Sequence, residues 1–285
     1  MKSKAITLLI LIFLSSASCF AGAWNKKKGE GYAQLSFTYL KYSQLLNSNS
    51  DKIDLKRDIA DNTLQFYSEY GISNRFNVIF NLPYKLVSSG KDLNQVQNDP
   101  TISDTLVSGN KHGFSNMGFA LRYELINGNY VLSIQAGIQN HMHSYDVESG
   151  LRIGYDAYIF TPSILFGKAW SKYYSQAEIG LSLNSSNYAQ NTIGNIEVGR
   201  NFSKGKTYLI LRIDLKLPFT TGHFDEGNTV QTGLFRDNSS YVSPGLKIIQ
   251  QLKENVFLNI AAYGAVYSMN EGAQATLNIG LAYQW

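Results

Sequence analysis

The sequence predicts an all-β protein: a transmembrane antiparallel β-barrel of about twelve strands, with short periplasmic turns and longer extracellular loops. Three observations lead to this prediction. Apolar and polar side chains alternate along many segments, short and long connections alternate between those segments, and the apolar faces carry no charge across the central portions of the segments. A strand that crosses a membrane at a tilt needs about 9–11 residues, and its lipid-facing and lumen-facing side chains alternate.

Twelve segments of the sequence follow this two-residue period, although the pattern is weakest in the eighth. In the ninth segment, KTYLILRIDLKL, Leu209, Leu211 and Ile213 share one face, and Arg212 and Asp214 share the other. The predicted strands lie near residues 31–42, 63–72, 76–86, 114–124, 130–140, 156–168, 174–184, 192–200, 206–217, 240–250, 256–267 and 274–285.

The connections between these segments separate into two sets. The short ones are residues 73–75, 125–129, 169–173, 201–205 and 251–255. The others are mostly long and polar, near residues 43–62, 87–113, 141–155 and 218–239, with shorter ones at 185–191 and 268–273. Short turns on one side and longer loops on the other are typical of outer-membrane barrels. An even number of strands predicts that both termini lie in the periplasm.

Across the central portions of the twelve segments, the charged residues all fall on the polar faces. The predicted inward charges are Glu69, Arg122, Glu124, Glu178, Glu197, Arg212, Asp214, Lys216 and Lys247. A soluble β-sandwich would also alternate, but we would expect more Lys and Glu on its polar face. Aromatic residues beside the short turns further favour a membrane barrel, because they form an interfacial girdle there. They are Tyr70, Phe76, Tyr123, Tyr130, Phe166, Tyr283 and Trp285.

The chain ends in NIGLAYQW, in mid-alternation. We predict that this is the last strand, which closes the barrel against the first and removes both open edges. Its outward residues are Leu277, Ile279, Leu281, Tyr283 and Trp285. A terminal aromatic residue after alternating apolar residues resembles the C-terminal signal that outer-membrane proteins present to the barrel-assembly machinery.

The first 23 residues have the organisation of a cleaved signal peptide. Lys2 and Lys4 precede an apolar run over residues 6–14, and Ala21, Gly22 and Ala23 fit the rule for a cleavage site. The apolar run is too short to span a bilayer as a helix. We therefore expect a signal peptide over residues 1–23 and an outer-membrane β-barrel over residues 24–285, in a Gram-negative bacterium. Cys19 could also be the lipidated cysteine of a lipoprotein, but Ser16 lies where a lipobox has an aliphatic residue, which argues against that interpretation.

The charge pattern argues against nucleic acid as a partner. The formal net charge is only +4, and no block of like charge is present, so nucleic-acid binding is not expected. The expected partners are outer-membrane lipid, the barrel-assembly machinery and a small-molecule solute, with no cofactor.

Three stretches of the sequence resemble a known family. AWNKKKGEGYAQLSFTY, YGISNRFNVIFNLPY and GFSNMGFALRYEL are similar to the outer-membrane family named for the MetA-pathway of phenol degradation, whose members are described as transporters. The resemblance implies a barrel and uptake of aromatic or apolar compounds. It supplies no catalytic residue.

Two groups of residues at the predicted outer rim could suggest a metal site or a catalytic site. His141 and His143 form a pair in a loop, but a metal site usually needs three or four ligands. His112, Ser115 and Asn116 bring to mind the side chains of a lipid-modifying barrel enzyme, yet residues 112 and 115 would face opposite ways on a continuous strand. We therefore do not expect an enzyme.

Inward tyrosines complete the set of lumen candidates. Tyr32, Tyr67, Tyr208, Tyr241 and Tyr263 lie on the polar faces, where they would either stack an aromatic solute or fill space. Together these features predict a channel for passive passage of small solutes, with loops 87–113 and 218–239 as candidate gates. Two alternatives stay open: a lipid-modifying enzyme, and a surface-structural or binding barrel with a plugged lumen.

Overall fold

The structure is a computed structural model that describes residues 22–90, 107–272 and 274–285, except for the side chains of Lys56, Lys204, Asn228 and Thr229. The expected signal peptide lies outside the described residues apart from Gly22 and Ala23. The middle of the candidate gate 87–113 also lies outside them. Among the described residues, no helix is long and apolar enough to cross a membrane.

The described residues form sixteen β-strands and two short 3-10 turns, Ser203–Gly205 and Gly227–Gln231. The strands are β1 (Gly31–Tyr39), β2 (Lys41–Leu46), β3 (Lys52–Gly71), β4 (Phe76–Ser89), β5 (Gly109–Phe114), β6 (Gly118–Asn127), β7 (Val131–Gln139), β8 (Ile159–Trp170), β9 (Tyr173–Asn184), β10 (Asn191–Phe202), β11 (Thr207–Pro218), β12 (Ser240–Lys253), β13 (Val256–Tyr263), β14 (Tyr267–Met269), β15 (Glu271–Gly272) and β16 (Thr276–Gln284).

Twelve of these strands form a closed antiparallel barrel, as the sequence predicts. The ring runs β1, β3, β4 and β6 to β13, then β16, which pairs with β1 from Tyr39–Leu277 to Tyr32–Gln284. The predicted closure of the barrel by the C-terminal strand is therefore confirmed. The short strands β2, β5, β14 and β15 extend the wall beyond the ring, at the end that carries the long connections. We call this the long-loop end and the opposite end the short-turn end.

The two faces of the wall differ in the way that the alternation requires. In β11 the side chain of Leu211 is 63% exposed on the outside, whereas that of Ile210 is fully buried inside. The same period holds from β1 to β16, because a strand turns successive side chains to opposite faces. The outer face is apolar from strand to strand, as a lipid-facing surface must be.

Aromatic rings gather on the outer face near the short-turn end. The ring centroids of Phe76 and Tyr123 are 4.6 Å apart, and those of Tyr283 and Trp285 are 6.0 Å apart. Trp285 also covers the first barrel strand, since a Cβ atom at Gly31 would lie 2.1 Å from its ring. These rings form the interfacial girdle expected from the sequence.

One predicted loop is wrong in its extent. Residues 43–62 were expected to be an extracellular connection, but most of them continue β2 and β3 as a hairpin whose tip is residues 47–51. The charged residues of this stretch, such as Asp54 and Asp58, hide the alternation because both faces of a strand beyond the membrane can meet water. The weakly patterned segment 192–200 is a full strand, β10.

Candidate functional site: the barrel lumen

Three cavities follow one another inside the barrel. The central chamber has a volume of about 610 Å³, the lower chamber at the short-turn end about 270 Å³, and the upper chamber at the long-loop end about 250 Å³. Tyr67 and Arg212 line both the central and the lower chamber. Tyr241 and Glu271 line both the central and the upper chamber. The lumen is thus a row of polar chambers with these residues at the two necks.

A buried ion pair braces the wall beside the lower chamber. Arg122 Nη1 lies 2.9 Å from Glu69 Oε1, and Asn77 Nδ2 donates to the same oxygen at 2.6 Å. Arg122 Nε donates to Gln135 Oε1 at 3.0 Å. The register puts Asn77 opposite Arg122, so the three side chains meet because period-two strands place them on one inner face. Each charge has polar partners, which a buried charge requires.

Two further inward acids near this end accept hydrogen bonds from neutral groups. Ser163 Oγ donates to Glu178 Oε1 at 2.8 Å, and Asn195 Nδ2 donates to Oε2 at 3.1 Å. Glu124 accepts from Asn127 Nδ2 at 2.7 Å. The carboxylates of Glu178 and Glu124 therefore accept hydrogen bonds from other residues of the barrel wall and are not free in the lumen.

The N-terminal segment of the expected mature chain, residues 24–30, enters the barrel at the short-turn end. The Trp24 ring lies edge-on to Tyr174 with centroids 6.1 Å apart, and Lys26 is buried with its ammonium 5.6 Å from the Tyr32 ring centroid. The backbone of Lys28 donates to Asn74 Oδ1 at 3.1 Å. The sequence pattern does not predict this plug. A polar stretch that precedes the first strand carries no period that would reveal where it folds.

A second charged cluster lies on the central wall. Arg212 binds Asp214 through Nε at 2.9 Å and through Nη2 at 2.7 Å, and its Nη1 lies 3.5 Å from Glu197 Oε2. Glu197 also accepts from the Tyr174 hydroxyl at 2.6 Å. Glu197 and Arg212 are direct partners in the β10–β11 register, which brings the two side chains together on one inner face. Asp214 is the stronger partner of Arg212, because its contacts are shorter and bidentate.

The two inward lysines have different surroundings. Lys216 Nζ donates to Ser239 Oγ at 2.6 Å and to the Tyr155 hydroxyl at 3.0 Å, which ties the wall to the covering loops. Lys247 lines the central chamber, and among the described residues it has no hydrogen bond or ion pair. The charges of Glu197, Arg212 and Asp214 all act on it.

Not every predicted lumen residue reaches a chamber. Among the described cavities, the lining includes Tyr67, Arg122, Glu178, Arg212, Asp214, Lys216, Lys247 and Tyr263. Glu69, Glu124 and Glu197 are not among the lining residues, and their carboxylates bind other side chains of the wall. Tyr208 packs instead into an inner apolar cluster with Ile210, Ile249 and Phe257. Of the two roles considered for Tyr208, stacking on a solute and filling space, the structure therefore favours filling space.

Loops cover the long-loop end. Residues 140–158 and 219–239 fold over the barrel, and their Leu151 and Leu234 are buried against Ile59. The rings of Tyr188 and Phe224 stack at 4.0 Å, and Arg152 Nη1 donates to the Tyr188 hydroxyl at 3.0 Å. Burial raises the pKa of the Tyr188 phenol above its ordinary value. This cover is a packed layer with its own small core.

The residues that suggested a catalytic or metal site make structural contacts with neighbouring residues. Asn116 Nδ2 donates to the backbone oxygens of Asn140 at 2.7 Å and Tyr155 at 2.9 Å, so it anchors the covering loop, and His112 Nδ1 lies 2.9 Å from the Tyr84 hydroxyl. His141 and His143 both contact Asp156. Within the described ranges, no group of three or more His, Cys, Asp and Glu residues is arranged to hold a metal ion.

An apolar groove of about 730 Å³ lies on the outside of the barrel. Leu121, Ile134 and Ile164 line it together with small residues such as Gly180. Leu121, Ile134 and Ile164 are exposed on the outward face, so the groove belongs to the outer wall and not to the lumen.

Neither a protein-family model nor a curated protein matches the sequence. Solved structures do. The chain superposes on the COG4313 outer membrane channel from Pseudomonas putida F1 with a TM-score of 0.73 at 11% identity, over 93% of this chain and 99% of that one. For the β domain of the Bordetella autotransporter BrkA the TM-score is 0.50 at 13% identity, over 91% and 100% of the two chains. For the translocator domain of NalP from Neisseria meningitidis it is 0.50 at 9%, over 98% and 96%.

The fold and the polar lumen define the chain as a β-barrel of the outer-membrane type. The likeness to the Pseudomonas putida channel extends over nearly the whole of both chains. At such low identity it shows a shared fold, and the likeness to the MetA-pathway family remains a resemblance.

Proposed function

We propose that the protein is an outer-membrane channel through which small solutes pass passively. The observation that carries the proposal is the row of three polar chambers inside a closed barrel, joined at necks that share Tyr67 with Arg212 and Tyr241 with Glu271. Twelve strands lie between the eight that side chains alone can fill and the sixteen that leave a wide aqueous channel. A narrow, interrupted passage fits that intermediate size.

Described residues occupy both ends of this passage, so we expect conduction to require movement. At the end that we assign to the periplasm, Trp24 and Lys26 lie inside the barrel. At the end that we assign to the outside, the loops 140–158 and 219–239 cover the opening. The N-terminal segment is the simpler gate, because it is short. Several hydrogen bonds hold it to the wall, among them those of Asn25 with the Arg75 backbone and of Lys28 with Asn74, and opening requires that they break.

A plugged surface barrel is the second candidate, and the loop cover favours it. Leu151 and Leu234 form a buried apolar core over the long-loop end, which is more than a solute channel needs. If this cover never opens, the loops would present a binding surface, and the chambers would be closed internal cavities that conduct no solute.

Removal of one ring distinguishes a gated channel from a sealed barrel. We expect Trp24→Ala to raise the conductance of the purified protein in planar bilayers, because the change withdraws the N-terminal segment's largest side chain from the lumen. Trp170→Ala is the matched control, since Trp170 is 46% exposed on the outside of β8. Mass spectrometry of both proteins verifies that signal cleavage is unchanged.

Two outcomes separate the candidates. Higher conductance for Trp24→Ala with unchanged conductance for Trp170→Ala supports the channel. Folded protein that stays electrically silent in both variants, and also after proteolytic trimming of the external loops, favours the plugged barrel.

A further inference from the structure

The lining of the central chamber is unusually rich in neutral hydrogen-bonding groups. Ten of its 22 lining residues are Asn, Gln, Ser or Thr, four are Tyr, and Leu40 is the largest aliphatic one. An apolar solute in such a chamber would leave these groups without water or a partner, which costs free energy for each group. A solute with many hydroxyl groups would exchange one set of hydrogen bonds for another.

Two polar atoms of this lining are buried without a partner among the described residues. They are Asn259 Oδ1 and Ser268 Oγ, and both residues are 2% exposed. Asn259 Nδ2 donates to Gln34 Oε1 at 3.1 Å, which fixes the orientation of the amide. An unpaired buried polar atom costs about 1–3 kcal/mol. The wall covers Asn259 Oδ1 in this structure, so a ligand hydroxyl that donates to it would be favoured once a small shift of the lining exposes the atom.

An aromatic platform lies on the same wall. The ring of Tyr263 occupies the space over Gly245, where a Cβ atom would lie 2.1 Å from its Cδ1. The strand-to-strand register puts Tyr263 directly opposite Gly245. Because the glycine lets the ring lie against the wall, the ring leaves the chamber open beside it, and aromatic rings commonly bind the apolar faces of small ligands.

The charges around the chamber balance one another. Arg212 and Lys247 carry positive charge, while Asp214 and Glu271 carry negative charge, and the Arg212 guanidinium is held by Asp214. A solute with a net charge would gain from one pair and lose from the other. A neutral solute meets neither penalty.

From these features we propose that the central chamber binds neutral, hydroxyl-bearing solutes of the sugar and polyol class. This inference rests on the proposed channel function and adds its solute class. The chamber volume of about 610 Å³ lies within the range of small-molecule sites. The aromatic or apolar compounds that the family resemblance implies would meet few aliphatic side chains, because Leu40, Ala261 and Ala265 are the aliphatic members of the described lining.

Binding is tested apart from transport, on purified protein in detergent. Saturation-transfer NMR and calorimetry use sucrose, mannitol, benzoate and benzyl alcohol as probes. We expect sucrose or mannitol to bind, and Asn259→Leu to weaken that binding by about tenfold, the equivalent of one good hydrogen bond. Asn201→Leu is the matched control, because Asn201 is an inward-facing asparagine of β10 outside the described chamber linings.

Transport of the same probes is measured by swelling of liposomes that contain the protein. Saturable sucrose or mannitol binding that Asn259→Leu weakens and Asn201→Leu does not supports the inference, whether or not the liposomes swell. Binding without any swelling would overturn the channel and leave the chamber's ligand class standing. Swelling without binding, binding of benzoate or benzyl alcohol alone, or equal loss in both variants would overturn the inference.

Discussion

Arg122 on β6 reaches Glu69 on β3 across the intervening strand β4, with 2.9 Å between Nη1 and Oε1 and both side chains almost wholly buried. Asn77 of β4 lies between them and donates to the same carboxylate at 2.6 Å. The pair therefore links three neighbouring strands from the inside of the barrel. Such an arrangement braces the wall at the point where the N-terminal segment enters.

Breaking this pair should destabilise the barrel more than deleting it. Because Glu69→Gln leaves a buried guanidinium without its acid, we expect a loss of about 3–5 kcal/mol in the free energy of unfolding. The double variant Glu69→Gln with Arg122→Gln should lose less than either Glu69→Gln or Arg122→Gln alone. Urea unfolding in lipid vesicles measures all three. Additive losses would show that the two side chains do not act as a pair.

Two adjacent residues of β11 test the inside and outside of the wall. Leu211 is 63% exposed on the lipid side, so Leu211→Arg should cost about 2–4 kcal/mol if it lies near the bilayer midplane. Arg212→Leu removes a lumen charge and should change ion preference more than assembly. Unfolding in vesicles and channel recordings of both variants check this. A tolerated Leu211→Arg together with an Arg212→Leu that fails to insert would invert the assignment.

The C-terminal residue is expected to serve assembly. Trp285→Ser should leave export intact and reduce insertion, because the last strand closes the ring against β1 and its alternation is the proposed signal for the assembly machinery. Heat-modifiable migration on gels reports the folded fraction in isolated membranes. Trp170→Ser controls for loss of a girdle tryptophan, and equal yields of the two variants would argue against a special role for the terminus.

Lys247 should set the ion preference of the passage. Since it lines the central chamber without a hydrogen-bonded or ion-paired partner among the described residues, Lys247→Gln removes a positive charge and should shift the reversal potential towards cation preference in a salt gradient. The exposed turn residue Lys172 supplies the control change Lys172→Gln. An identical shift in both variants would place the effect at the surface rather than in the lumen.

The fold could be predicted from the sequence because every strand of a membrane barrel must alternate lipid-facing apolar residues with lumen-facing residues. Leu211 must face lipid and Arg212 must not, so alternation, strand length and closure by NIGLAYQW follow from residues alone. The exceptions lie where that rule ends. The hairpin over residues 43–62 leaves the membrane, and its charges hide the period.

The lumen was less accessible, because a period of two tells which side a residue faces but not what it meets there. Glu197 and Arg212 could be paired from neighbouring strands, yet the bidentate Asp214 contact depends on side-chain packing within one strand. Tyr208 faces inward as predicted but joins an apolar cluster. The plug of residues 24–30 has no periodic signal at all, and only the folded barrel shows it.

The central claim is that the barrel conducts, and single-channel recording of the purified wild-type protein in planar bilayers tests it most directly. The account predicts discrete conductance steps that become larger or more frequent in Trp24→Ala. A folded, heat-modifiable protein that gives no steps above the bare bilayer, as wild type and as Trp24→Ala alike, would contradict it.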